Sequence, residues 1–279
     1  MRQFVLPAPP GSDGSVELGA REFRYLVQVL RIAEGDLVDA RLPDGRLVPM
    51  RITVVDRKLR RVRLVSDTPG LAVPSVAPAA PSFDDRSSPA LSAPPEGFPR
   101  IILFQWILTG PKMDQVVRQA TETGVSLIVP VAGDRCLTRD ADAVGGGKTG
   151  RWDRIVREAQ QQSGSPIPTR ILPPVTPQAI PGLRKTLLAG DDTVSLVLTE
   201  APLARKSLHE YLGTQVGLTA LAVGPAGGMT VRELALLAEA GFVCVHFRTN
   251  ILRAETAALY GIAAVQTALM ESEKWQLKE

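Results

Sequence analysis

The chain has 279 residues, of which 44% are hydrophobic and 22% are charged, a composition typical of a soluble globular protein. It contains no run of about 18 apolar residues and no apolar signal-peptide core near its beginning, which excludes a membrane span and predicts a cytoplasmic protein. Cys136 and Cys244 are the only cysteines, so a disulfide framework is excluded as well.

The first zone, residues 1–66, consists of short alternating runs around one helical stretch at 20–30. The sequence Asp44-Gly45 between two of the runs is typical of a hairpin turn. This pattern predicts a small, mostly β, barrel-like domain. The alternating runs occupy residues 37–42, 47–55 and 61–65.

The same zone is the most basic part of the chain. It holds twelve Lys or Arg residues against eight Asp or Glu, an excess of four positive charges, whereas the whole chain carries +3. A concentrated basic excess favours an anionic partner, and nucleic acid before others. The alternative is a solvated surface, and the charge count leaves both interpretations open.

Two further zones follow. Residues 67–99 are dominated by Pro, Ala and Ser and predict an extended linker, because such a segment buries too little apolar surface to offset its ordering entropy. Residues 100–279 alternate apolar runs with helical patterns, which predicts an α/β fold with a parallel sheet covered on both faces. The predicted strands are 101–108, 127–131, 169–172, 194–198, 218–223 and 242–247, and the predicted helices are 113–123, 151–162, 203–212, 230–240 and 255–270.

Polar loops follow the last two predicted strands. One is the run of small residues from Val223 to Gly228, and the other extends from Asn250 to Thr256. Loops at the ends of neighbouring buried strands form ligand sites in α/β proteins. A tight turn between strand and helix is the alternative explanation for the glycines. No metal site is predicted, because His209 and His246 have no ligand spacing to the cysteines.

These loops resemble two motifs of the ribosomal RNA small subunit methyltransferase E family, within the SPOUT superfamily of knotted methyltransferases. Gly224-Pro225-Ala226-Gly227-Gly228 resembles the family's Gly-Pro-Glu-Gly-Gly, and residues 251–257 resemble its Ile-Leu-Arg-x-Glu-Thr-Ala. Residues 120–125, 158–164 and 29–36 are similar to further family motifs in the same order. The resemblance covers nearly the whole chain outside the linker.

The resemblance implies a SPOUT-type parallel sheet with a C-terminal trefoil knot, preceded by a small PUA-like β-barrel domain that binds RNA. It implies a homodimer that uses S-adenosylmethionine to methylate N3 of a uridine in 16S ribosomal RNA. The cofactor would lie among three loops. The implied cofactor-binding residues are Leu198, Thr199, Glu200, Val223, Gly224, Pro225, Gly227, Gly228, Asn250, Ile251, Leu252 and Thr256.

The resemblance also directs attention to Arg253 and Glu255 as catalytic residues. Uridine N3 carries a proton at neutral pH, so Arg253 would stabilise the developing uracil anion and Glu255 would act as base or would orient a neighbour. Alternatively, Arg253 and Glu255 form a structural pair, with Thr256 capping the last helix. Basic residues on both domains would contact RNA phosphates or would be ordinary surface charges: Arg21, Arg24, Arg31, Arg57, Lys58, Arg60, Arg61, Lys112 and Arg135.

Three residues depart from the family pattern in the expected cofactor loops. Ala226 replaces a glutamate, and Arg248 and Asn250 stand where the family has glycine and arginine. The departures keep two other functions open. One is a SPOUT-fold RNA-binding protein with weak or lost cofactor binding, and the other is a methyltransferase acting on another RNA position.

Overall fold

A computed structural model describes residues 4–42, 46–67, 98–136, 149–188, 190, 192–200, 203–213 and 216–272. The chain divides into two compact units, Met1–Ser88 and Pro89–Glu279. Most of the predicted linker and the turn at Asp44-Gly45 lie outside the described residues. In the part that is described, no helix has the length and apolar character needed to cross a bilayer.

The first unit is built on a five-stranded sheet with the order β1-β3-β4-β5-β2. The three predicted runs form its central strands, and β1 and β2 add edge strands too short for a clear pattern. In the described strand order, β1 and β2 are the two edge strands and do not pair with each other. Closure of this sheet into a PUA-like barrel therefore stays a prediction. The elements are β1 (Phe4–Val5), β2 (Ser15–Leu18), α1 (Ala20–Phe23) with a π-helical continuation (Arg24–Val29), β3 (Leu37–Arg41), β4 (Leu47–Asp56) and β5 (Arg61–Ser66).

Strand β4 shows why this sheet buries only one face. Val48, Met50 and Ile52 are buried, whereas the alternating Pro49 and Arg51 are exposed. Successive strand side chains point to opposite faces, so this period places one row in the core and the other in solvent. The buried row belongs to a hydrophobic cluster that includes Phe23 and Leu26 of the helical segment.

The second unit is a six-stranded sheet with helices on both faces, as the alternation predicts. Sequence patterns missed α4, because Pro181 and Gly182 near its start disfavour a helix. The elements are β6 (Arg100–Trp106), α2 (Pro111–Glu122), β7 (Leu127–Val131), α3 (Thr149–Ser163), β8 (Arg170–Ile171), a 3-10 turn (Pro177–Ala179), α4 (Ile180–Leu187), β9 (Thr193–Leu198), α5 (Leu208–Leu212), β10 (Leu218–Val223), α6 (Val231–Glu239), β11 (Val243–Val245) and α7 (Ala254–Ser272).

The sheet has the order β11-β9-β10-β6-β7-β8, and all of its strand pairs are parallel. Every residue of β10 is buried, as expected for a central strand covered on both sides. One hydrophobic cluster joins the sheet to α2, α3 and α7, and a second joins the other face to α4 and α6. The predicted parallel sheet is therefore confirmed.

The strand order determines where a ligand can bind. After β8 the chain returns to the other side of β6 and adds β9, β10 and β11 there. In such sheets, ligands bind outside the carboxyl ends of the strands, near the point where the order reverses. The loops that follow β9, β10 and β11 share this edge of the sheet, because those strands are parallel neighbours.

Candidate functional site

A cleft of about 560 Å³ lies at the carboxyl ends of β9, β10 and β11. It brings together the three loops that the family resemblance assigned to the cofactor. Eleven of the twelve predicted cofactor-binding residues line it: Leu198, Thr199, Glu200, Val223, Gly224, Pro225, Gly227, Gly228, Asn250, Ile251 and Leu252.

Thr256 is the twelfth residue, and it does not line the cleft. Helix α7 begins at Ala254, so Thr256 is the third helical residue, and its side chain is exposed. An N-cap residue precedes the first helical residue. The alternative in which Thr256 caps the last helix is therefore wrong, because that role requires a helix that begins at residue 257, three residues later than the observed start.

The glycine-rich loop, residues 224–228, turns sharply before α6. Gly228 has φ of 71°, and its N–H donates to the carbonyl of Pro225 over 2.9 Å. This left-handed conformation favours glycine, because a Cβ atom there is strained. At Gly224 a Cβ atom would lie 3.1 Å from Cγ of Met229. The turn therefore explains part of the glycine content, and it also leaves backbone exposed to the cleft.

Glu233 anchors this loop to the end of β6. It is 3% exposed and forms a capping box with Thr230 at the start of α6. Its carboxylate also accepts hydrogen bonds from Nε1 of Trp106 over 2.8 Å and from the backbone N–H of Asp134 over 3.1 Å. Burial acts to raise the pKa of Glu233, but these hydrogen bonds and those from Thr230 outweigh it and hold the pKa below its usual value.

Three cationic side chains line the cleft, and they differ in their hydrogen-bond and ion-pair partners. Nζ of Lys112 lies 3.5 Å from a carboxylate oxygen of Glu255. The guanidinium of Arg135 donates to the carbonyl of Gly227. Arg253 is exposed and makes no side-chain hydrogen bond or ion pair within the described residues. Arg253 is therefore the cation most available to a ligand.

The structure separates the two predicted catalytic residues. Arg253 lines the cleft, but Glu255 does not, and Glu255 is only 7% exposed. The ion-pair partner of Glu255 is Lys112 and not Arg253. The carboxylate oxygen Oε2 of Glu255 is buried without a hydrogen-bond partner in the described structure. Because Glu255 pairs with Lys112, these contacts contradict the alternative in which Arg253 and Glu255 form a structural pair.

The other predicted RNA contacts lie in the first unit and are all exposed: Arg21, Arg24, Arg31, Arg57, Lys58, Arg60 and Arg61. Arg57, Lys58 and Arg60 occupy the turn between β4 and β5, where Arg60 has φ of 52°. Arg61 is already engaged, because it forms an ion pair of 2.8 Å with Glu17. Lys112 and Arg135 belong to the second unit.

Sequence reasoning also missed residues of the cleft. Val245 ends β11, and His246 and Phe247 follow it, so the rule that sites lie at strand ends could have found them. Nδ1 of His246 lies 3.1 Å from the carbonyl oxygen of Thr199, which joins two of the three loops. Leu203, Met229 and Leu234 also line the cleft and carried no signal beyond apolar character. Ala254 and Ala257 line it as well, and both lie in the motif at residues 251–257, although neither was predicted to bind the cofactor.

Of the three departures from the family pattern, two face the cleft. Ala226 and Asn250 line it, whereas Arg248 is exposed and lies outside the lining. Arg248 therefore adds no side chain to the cleft lining.

Comparison with known proteins gives the family. A model of the RNA methyltransferase domain matches residues 95–266. Ribosomal RNA small subunit methyltransferase E of Aquifex aeolicus is 34% identical over 161 residues, which is 57% of this chain and 65% of that protein. The protein of the same name from Synechocystis is 35% identical over 166 residues, 58% of this chain and 51% of that protein. The chain thus spans less than two thirds of the length of these relatives.

Solved structures extend the match to nearly the whole chain. Ribosomal RNA small subunit methyltransferase E from Neisseria gonorrhoeae, bound to S-adenosyl methionine, is 28% identical, with a TM-score of 0.71 over 96% of this chain and 97% of that one. A Legionella pneumophila protein solved with the cofactor SAM is 23% identical, with a TM-score of 0.72 over 96% and 98%, and supports the fold. The resemblance to methyltransferase E proteins is confirmed, and this chain belongs to the RNA methyltransferase domain family.

Proposed function

We propose that this protein transfers a methyl group from S-adenosylmethionine to N3 of a uridine in 16S ribosomal RNA. The observation that carries the proposal is the cleft, in which eleven predicted cofactor residues meet beside Arg253, whose side chain has no partner among the described residues. The Neisseria gonorrhoeae structure supports it, because that protein was solved with S-adenosyl methionine and aligns over 96% of this chain.

The cleft fits the proposed cofactor in size and in chemistry. Its volume of about 560 Å³ falls within the range of roughly 300–1,000 Å³ that is usual for small-molecule sites. The glycine-rich loop offers backbone donors and acceptors for the edge of an adenine, and Leu198, Val223 and Leu252 offer apolar contact. When bound, the cofactor supplies an activated methyl group.

The main task left to the protein is to make uridine N3 nucleophilic and to aim it at the methyl group. Arg253 performs the first part by placing a guanidinium beside the uracil, which stabilises the negative charge that appears as the N3 proton leaves to solvent. The N3–methyl bond then forms as the sulfonium–methyl bond breaks. Confinement of both reactants in one cleft supplies a large further share of the acceleration.

We assign Glu255 to positioning rather than to proton abstraction. Its carboxylate is buried outside the cleft lining and is paired with Lys112. A general base must reach the proton directly or through one water molecule. Held by Glu255, Lys112 remains at the cleft with its charge available to an RNA phosphate.

Three further features belong to the same proposal. The exposed basic residues of the first unit bind RNA phosphates as a PUA-like domain, and the loops after β9, β10 and β11 form a trefoil knot. The protein is a cytoplasmic homodimer. The exposed apolar side chains of Leu203 and Ile251 support the dimer, because a second subunit would cover them beside the cleft.

A second function, RNA binding with weak or lost cofactor affinity, is favoured by one observation. Ala226 and Asn250, which replace a glutamate and an arginine of the family pattern, both line the cleft. Calorimetric titration with S-adenosylmethionine separates the two functions. The methyltransferase predicts saturable heat at sub-millimolar cofactor, and the binding protein predicts none. Mass mapping of nucleosides in treated 16S ribosomal RNA then tests the position, and a methyl group away from uridine N3 would refute our assignment.

A further inference from the structure

The loop after β7 is fastened to the glycine-rich loop and to the start of α6 by contacts that we call the clasp. The clasp is formed by Gly133, Asp134 and Arg135 on one side and by Gly227, Thr230 and Glu233 on the other. Arg135 donates to the carbonyl of Gly227. The backbone N–H of Asp134 donates to Glu233 over 3.1 Å, and the hydroxyl of Thr230 donates to the Asp134 carboxylate over 3.2 Å. The clasp therefore connects the cofactor loop to a second segment of the fold.

The inner part of the clasp has no room to move. A Cβ atom on Gly133 would lie 2.2 Å from Nε1 of Trp106 and 2.3 Å from Oε1 of Glu233. Glu233 is nearly inaccessible to solvent. Close packing and satisfied hydrogen bonds at a buried carboxylate hold a single arrangement. Asp134 and Thr230 are thus fixed relative to the end of β6.

The outer part is open to solvent. Arg135 and Gly227 are both exposed, and Arg135 also lines the cleft. One guanidinium nitrogen, Nη1, makes the contact to Gly227. A guanidinium carries five N–H donors, so others remain for a second acceptor. A charge-assisted hydrogen bond from the guanidinium to a phosphate is about twice as strong as one between neutral groups.

We propose that Arg135 is a positioning residue that couples the two substrates, by holding the Gly227 carbonyl and an RNA phosphate at the same time. The inference rests on the proposed function. With RNA bound, the guanidinium is immobilised, and it in turn holds the glycine-rich loop in the form that binds cofactor. By thermodynamic reciprocity, bound cofactor raises RNA affinity by the same factor. Lys112 is a poorer candidate, since it contacts Glu255 and not the glycine-rich loop.

The test measures the affinity of S-adenosylhomocysteine, which cannot react, with and without saturating 16S ribosomal RNA. For the unchanged protein we expect binding to tighten at least about fivefold with RNA, the lower end of usual coupling. Arg135→Gln removes the charge and shortens the side chain, so it can no longer hold the Gly227 carbonyl and a phosphate together. The ratio of its affinities with and without RNA should fall to about 1, whatever its affinity in the absence of RNA.

Three further measurements make the outcome decisive. Arg135→Lys should restore part of the ratio, and Arg232→Ala, which removes an exposed arginine of α6 outside the cleft lining, should leave it unchanged. Thermal unfolding of each variant shows that the fold is retained. The coupling would be overturned if Arg135→Gln kept the same ratio of S-adenosylhomocysteine affinities with and without RNA. It would also be overturned if RNA did not tighten S-adenosylhomocysteine binding in the unchanged protein. Complete absence of S-adenosylhomocysteine binding would instead overturn the proposed function, and this inference with it.

Discussion

Nζ of Lys112, at the start of α2, lies 3.5 Å from the carboxylate of Glu255, in the first turn of α7. The Lys112 side chain is 40% exposed and that of Glu255 is 10% exposed, so the pair is unequal. If its partner is lost, the Lys112 ammonium can still be solvated by water. The Glu255 carboxylate has little access to water and cannot be solvated in the same way. This inequality predicts that the two residues respond differently to substitution.

Removal of Lys112 should destabilise the protein more than neutralisation of Glu255 does. Lys112→Ala leaves a largely buried carboxylate without its counter-charge, which should cost about 1–3 kcal/mol of unfolding free energy. Glu255→Gln leaves a lysine that reaches solvent, and its cost should stay below about 1 kcal/mol. Urea unfolding of both variants at neutral pH measures the difference, and the reverse order would contradict this description of the pair.

Glu255→Gln should also retain most of the methyl-transfer rate. A positioning residue affects the reaction through Lys112, so kcat should fall by less than about tenfold, with a larger change in the KM for RNA. Loss of a general base typically lowers the rate by about 10²–10⁴-fold. Steady-state kinetics with varied RNA separates the two roles, and a kcat loss of that larger size at unchanged KM would restore Glu255 as the base.

Glu233 should make stability depend on pH at the acid end. Its pKa is held below the usual value, so its contribution is fully present above the unfolded pKa of about 4.5 and is lost as pH falls through the lower folded pKa. Glu233→Gln turns an amide N–H₂ toward several donors and should cost about 1–3 kcal/mol at pH 7. The difference between the two proteins should shrink below about pH 4.5. Urea unfolding from pH 3 to 7 tests this, with the exposed Glu239→Gln on the same helix as control.

Gly133 should tolerate no side chain. Its Cβ would overlap Trp106 and Glu233, so Gly133→Ala should destabilise by about 1–3 kcal/mol, as overpacking does. A Cβ at Gly150 in α3 would contact none of the described atoms within 4 Å. Gly150→Ala should therefore stabilise by about 0.5–1 kcal/mol through helix propensity. In thermal unfolding, Gly133→Ala should have a lower Tm than the unchanged protein and Gly150→Ala a higher one. An unchanged Tm in Gly133→Ala would show that the space around Gly133 is larger than its geometry indicates.

Sequence patterns identified the elements whose burial is regular. The strands at 127–131 and 218–223 have the predicted bounds, because each is a continuous apolar run in a sheet covered on both faces. Helix α4 was missed, since its proline and glycine weaken the local pattern. Short strands such as β1 extend over too few residues to show a period.

The cleft was predictable to a similar degree. Loops at adjacent strand ends converge for topological reasons, so the two polar loops after the last predicted strands could be identified from the pattern. The individual cofactor-binding residues and the third loop were implied by the family resemblance. The partner of Glu255 could not, because a contact between α2 and α7 depends on how two helices pack on the same face of the sheet. No local pattern predicts side-chain geometry of two further kinds. One is the exposure of Arg248, and the other is the contact of Arg135 with Gly227.

The most direct test of the proposed reaction is the single-turnover rate of methyl transfer to 16S ribosomal RNA by Arg253→Ala, with cofactor affinity measured in parallel. Arg253 faces the cleft without a partner in the described structure, and Arg248→Ala removes an exposed arginine outside the cleft as control. Arg253→Ala should lower the rate by about 10²–10³-fold. Its cofactor affinity should change less than about threefold, and the control should match the unchanged protein. Transfer to uridine N3 at an undiminished rate in Arg253→Ala would contradict the account.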